Sequence, residues 1–120
     1  MITAASTVLP STPLVVGSDG YVYYGTEAGT LVYLDPADDT VHHVADLSNA
    51  SAASTSIRGF IEEVRPGEWM GIAFDYDASS NPMRRRLFHV NATSSNVNET
   101  DISDLIEDET YYPGVVAYTK

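Results

Sequence analysis

Three histidines, seventeen carboxylates and a run of three arginines are the side chains in this 120-residue chain best able to do chemistry. A histidine pair that chelates a metal must bring both rings to one point. His42 and His43 are adjacent in a β-rich run, where successive side chains take opposite faces, so they do not chelate together. His89 stands alone in another such run and reads as an amphipathic packing residue. Glu62 and Glu63 diverge for the same reason. Two groups of carboxylates do converge: Asp75 with Asp77, on one face near a strand end, and Asp35, Asp38 and Asp39 within one turn. Hard cations such as calcium or sodium take oxygen clusters of this kind. The competing use of aspartate in a turn is to close an Asx turn on its own backbone. Neither group has the spacing of an EF-hand or a nonapeptide calcium repeat, so no cofactor is assigned. No serine stands in a G-x-S-x-G elbow, and neither H-E-x-x-H nor a phosphate-cradling glycine loop occurs. The expectation is a protein that is not an enzyme.

Binding chemistry is better represented. Arg84-Arg85-Arg86 is the one concentration of positive charge, and a planar guanidinium pairs carboxylates bidentately while staying charged. It reads as a docking patch for an acidic neighbour, either another copy or the shell on which the protein sits; the alternative is a solvated hairpin arm balanced by Asp75 and Asp77. Among the eight tyrosines, Tyr21, Tyr23, Tyr24, Tyr111 and Tyr112 are candidates for a receptor or glycan surface, because tyrosine joins apolar area to a polar tip. Their competing role is packing between sheets. Trp69, the sole tryptophan, reads as core.

Composition narrows the partners. Six Lys and Arg against seventeen Asp and Glu give a formal charge of −11, which repels nucleic-acid phosphates and anionic membranes. There is no cysteine, which excludes disulfides and thiolate metal sites, and no apolar run approaches the roughly 20 residues that span a bilayer. The first residues carry no positive charge ahead of an apolar core, so no signal peptide is expected. The only lysine is Lys120. Lysine depletion with abundant carboxylates resembles salt-in halophiles, where molar salt screens the mutual repulsion of a hydrated acidic surface.

The elements that position these groups read as strands. Residues 14–16, 21–24, 31–34 and 41–44 are short β-rich runs separated by turn sequences such as Gly17-Ser18-Asp19-Gly20 and Pro36-Ala37-Asp38-Asp39. Residues 48–56 lack large apolar groups and read as a linker. A second set follows at 59–64, 69–76, 86–90 and 97–102. Residues 103–109 read as one helical turn or a connector, and 111–119 as a ninth, terminal strand. The whole chain is one all-β domain.

The halves match. Leu31-Val32-Tyr33-Leu34-Asp35 and Val41 align with Leu87-Phe88-His89-Val90-Asn91 and Val97 at one constant offset. The run Gly17-Ser18-Asp19-Gly20-Tyr21-Val22-Tyr23-Tyr24-Gly25-Thr26, followed by Gly29-Thr30-Leu31-Val32-Tyr33-Leu34-Asp35, resembles a β-propeller blade of the quinoprotein-like or Kelch-like kind. The resemblance covers 12–47 well and 57–102 more weakly, since the second unit lacks the Asp-Gly turn.

The resemblance implies two four-stranded antiparallel blades per chain. Propellers need about four to eight blades, so it also implies a ring completed by homo-oligomerisation, with a trimer favoured and a pentamer the alternative. The competing fold is a single-chain β-sandwich or small barrel. The functional expectation is a virion structural protein of a tailed virus infecting a halophilic archaeon. It would be a capsid decoration, turret or fibre-associated module, in contact with other virion proteins and contributing to host attachment. A sugar-binding lectin built from blades and a small intracellular scaffold are the alternatives.

Overall fold

The computed structural model describes residues 9–103. They form eight strands and no helix: β1 (Val15–Val16), β2 (Val22–Gly25), β3 (Thr30–Asp35), β4 (Thr40–Asp46), β5 (Ser54–Arg65), β6 (Glu68–Tyr76), β7 (Pro82–Asn91) and β8 (Val97–Asp101). Each set of four is an antiparallel meander, giving two four-stranded sheets in the orders β1-β2-β3-β4 and β5-β6-β7-β8. The all-β expectation with two four-stranded antiparallel sheets is therefore correct. No closed barrel or ring is formed by the described residues. The terminal strand 111–119, with Tyr111 and Tyr112, and most of the 103–109 segment lie outside them.

Turn chemistry fixes the hairpins. Gly20, Gly29 and Gly67 adopt φ of 89°, 81° and 79°, left-handed values that a side chain would strain. The turns after β3 and β7 are the same turn twice. Asp35 accepts from the Ala37 amide through its side chain and from the Asp39 amide through its carbonyl. Asn91 accepts likewise from Thr93 and Ser95. The residues that close them, Asp39 and Ser95, both sit at positive φ, 59° and 62°. The constant sequence offset thus corresponds to equivalent hydrogen bonding.

Two strands run further than their hydropathy suggests. The segment read as a linker to residue 56 already contains the start of β5, because Ser54, Thr55 and Ser56 pair with Tyr76, Asp75 and Phe74. Similarly β7 begins at Pro82, with Arg84 opposite Asp75 and Arg85 opposite Phe74. β5 breaks register between Ile57 and Ile61, where Gly59 takes φ 91°; an irregularity of this kind bends a strand.

The sheets meet through one core. Tyr23, Leu31, Val44, Ala45 and Leu47 from the first half pack with Ile57, Ile61, Trp69, Ala73, Phe88 and Val90 from the second. Trp69 and Tyr23 stack at 4.2 Å between ring centroids. Close approach depends on Gly25, where a Cβ would lie 2.4 Å from the Ile57 side chain. Backbone bonds complete the seam: the Ile57 amide donates to the Thr26 carbonyl, and Leu47 to Gly29. On its other face the second sheet carries a separate cluster of Ile72, Phe74 and Ile102, flanked by Phe60, Tyr76 and Leu87.

Candidate functional site

The three arginines do not share a surface. Strand alternation sends Arg84 and Arg86 to the inner face of the second sheet and Arg85 to the outer one. Arg86, 5% exposed, is bidentate on the fully buried Asp75, through Nε at 2.9 Å and Nη2 at 2.8 Å. Its Nη2 also donates to the Leu47 carbonyl, and its Nη1 pairs with Glu99 at 2.9 Å. Burial works against this charge, and the bonds to Asp75 and Glu99 outweigh it. Asp75 further accepts from the Thr55 hydroxyl at 2.7 Å. The result is a staple joining β5, β6, β7, β8 and the connection between the sheets. Arg85 is also buried and lies over the Phe74 ring at 6.0 Å. Arg84 is the partly exposed member, 4.0 Å from Asp75.

The carboxylates of Asp35, Asp38, Asp75 and Asp77 all accept from the protein's own donors. Asp75 and Asp77 do not converge: Asp77 closes the turn after β6 by accepting from the Ser79 and Asn81 amides, which hold its carboxyl below the ordinary range. In the other group Asp38 accepts from the amide and hydroxyl of Thr40, and its carboxyl is lowered by those bonds. Groups of three or more metal-ligating side chains do not occur among the described residues.

One arrangement has the residue types of nucleophilic catalysis. The Thr40 hydroxyl lies 2.7 Å from His42 Nε2 and donates to Asp38 at 2.7 Å. A hydroxyl has a single proton, and the Thr40 hydroxyl shares its oxygen between the Asp38 carboxylate and the imidazole, so the contact holds the β3–β4 turn together. His89 pairs with Glu68 at 3.1 Å.

The tyrosines divide in the same way as the arginines. Tyr23 faces the core and Tyr24 the opposite side of its sheet, both buried. Tyr21 stacks on Tyr33 at 4.6 Å, and Tyr33 on His42 at 4.8 Å, so an aromatic ladder leads from Trp69 through Tyr23 and Tyr33 to the surface. At its base Tyr23 donates to Asp19 at 2.7 Å. Glu63 closes the seam nearby, accepting from the Ser18 amide and hydroxyl and from the Gly67 amide. Partial burial pushes the Glu63 carboxyl up, but these three donors outweigh it and hold it below the ordinary range.

Tyr23 supplies a pH test. Burial first, then the bond to Asp19, raises its phenol well above the ordinary value of 10. As pH climbs past 10 the unfolded chain ionises at this residue before the folded one, so its contribution is whole below pH 10 and declines above it. Urea midpoints measured on either side of pH 10 are expected to fall more steeply for the parent protein than for Tyr23→Phe. Equal slopes would show that this phenol does not govern the alkaline limb.

A feature not singled out from the sequence is an open polar cleft of about 300 Å³, lined among the described residues by Glu27, Ser54, Ser56, Arg58, Tyr76 and Ser80. It gathers the β2–β3 turn, the start of β5, the end of β6 and the turn after it. Serines two apart on a strand face were the available signal, hidden in a stretch whose composition reads as linker. Comparison of the chain with known protein families, curated proteins and solved structures finds no match to any.

Proposed function

We propose that this chain is a non-enzymatic structural module that assembles with copies of itself. Its setting is the virion surface of a virus with a halophilic host, as a capsid decoration, turret or fibre-associated protein that aids attachment. The observation that carries the reading lies at the edge of the first sheet. β1 is a two-residue edge strand, and Leu14 and Val16, which share a side, are 59% and 69% exposed, with Leu9 at 51%. Edge backbone beside solvent-facing apolar side chains is a template for another chain. The meander pairs, stacked through a single seam, suit blade-like repetition around a ring. The commitment of Asp75, Asp77, Asp38 and Arg86 to structural bonds favours a scaffold over a catalyst. The acidic composition supplies the halophilic element.

Light scattering after size exclusion in molar salt is expected to give three times the 13.0 kDa chain mass. Leu14→Lys with Val16→Lys is expected to reduce it to one chain with the fold intact by circular dichroism. A parent protein that runs as a monomer would overturn the assembly reading; an unchanged multimer in the double variant would move the interface away from β1. For the setting, the chain should co-sediment with particles purified on a density gradient from the source culture, and its absence from them counts against the virion.

A further inference from the structure

We infer that the polar cleft between the β2–β3 turn and the start of β5 binds a saccharide through one pyranose-sized ring. The inference stands on the cleft's own chemistry and does not depend on assembly. Its volume, about 300 Å³, is at the lower end for small-molecule sites, which fits a single ring better than an extended ligand.

The lining is suited to a hydroxyl-rich guest. Ser54 and Ser56 lie two apart on β5 and so point to the same side, with Ser54 directly opposite Tyr76. Each sugar hydroxyl both donates and accepts. The lining matches this with one carboxylate that only accepts (Glu27), one guanidinium that only donates (Arg58), and three serine hydroxyls that do either. Tyr76, half-buried, offers an apolar ring of the kind on which the C–H face of a pyranose rests. Among the described lining residues the two formal charges, Glu27 and Arg58, cancel, which suits a guest without a charge of its own.

The walls are held in place before any ligand arrives. Arg58 Nη1 donates to the Tyr76 hydroxyl at 3.0 Å, which fixes the fork against the ring. Thr55, between the two serines, faces the other way and is anchored to Asp75 at 2.7 Å, so the strand that presents Ser54 and Ser56 is tied to the buried staple. Ser80 sits at φ 64°, a conformation unusual for a residue with a side chain, in a turn that Asp77 clamps from within.

Saturation-transfer NMR and calorimetry on the full chain in molar salt, with methyl glucoside, methyl galactoside, methyl mannoside and glucuronate as probes, test the inference. At least one probe is expected to bind in the millimolar range. Glu27→Ala is expected to weaken it about tenfold or more, the loss of a hydrogen bond to a charged group. Glu27 is exposed in a turn, so this variant leaves the core intact. Arg58→Lys, which keeps the charge and loses the planar fork, should also weaken binding. A preference for glucuronate that Arg58→Lys abolishes would identify an acidic sugar; equal response to the neutral glycosides would identify a neutral one. Silence from all four probes, or binding that Glu27→Ala and Arg58→Lys leave unchanged, overturns the inference. Assembly mass recorded on the same samples separates this outcome from failure of the structural-module reading.

Discussion

Asp75→Ala is expected to destabilise the protein by about 3–5 kcal/mol, the cost of leaving a buried charge without its partner. The carboxylate is fully buried and accepts from Arg86 twice, from Thr55 once and, at 3.4 Å, from the Asn49 side-chain amide. Without it the Arg86 guanidinium keeps Glu99 and the Leu47 carbonyl but loses its bidentate counter-charge. Small domains hold only about 5–15 kcal/mol in all, so the variant should unfold at a much lower denaturant concentration. Replacing both partners, Asp75→Asn with Arg86→Met, is expected to recover part of the loss, since a neutral pair carries no stranded charge. Because the pair is buried, raising salt should barely change the size of the effect. Urea titration of the parent and both variants at low and molar salt decides it: an Asp75→Ala protein with the parent midpoint would mean the staple does not stabilise the fold.

Trp69→Ala should cost a similar amount, about 3–5 kcal/mol, through loss of transferred area and the cavity left behind. Trp69 is fully buried where the sheets meet, and its ring lies 4.2 Å from Tyr23, a stack worth about 0.5–1.5 kcal/mol beyond burial. Trp69→Phe is expected to be milder. It keeps an aromatic ring in the stack, and it removes an indole N–H that meets no acceptor among the described residues. Denaturation followed by circular dichroism gives the order parent, Phe, Ala; equal losses for Phe and Ala would mean the ring makes no special contact at the seam.

The strands were legible because their causes are local. Short β-rich runs at Leu31–Leu34 and Leu87–Val90, with turn-forming residues between the runs, specified two meanders, and the Asp35 and Asn91 turns preserve the repeat down to their hydrogen bonds. The roles of the charged residues were not legible, because they depend on register. Three adjacent arginines look like a patch in one dimension. In the folded chain alternation separates Arg85 from its neighbours, and cross-strand pairing sets Ala73 opposite Arg86 and Asp75 opposite Arg84. Asp75 and Asp77 share a face by counting, yet a register shift after Asp75 turns the second carboxylate into a turn clamp. Ser54 and Ser56 gave no strand signal, since their pairing with β6 owes nothing to hydrophobicity. The cleft they line is assembled from segments far apart in sequence.

The ladder running from Trp69 through Tyr23 and Tyr33 to Tyr21 has a consequence for light. The chain has one tryptophan, and three tyrosines lie within a few ångströms of one another along the path to it. Excitation absorbed by the phenols drains toward the indole, and the indole is the point of contact between the two halves. Transfer from these three tyrosines to the tryptophan therefore depends on how closely the two sheets stay stacked. Any event that pries the halves apart registers first as tyrosine light, without an attached dye.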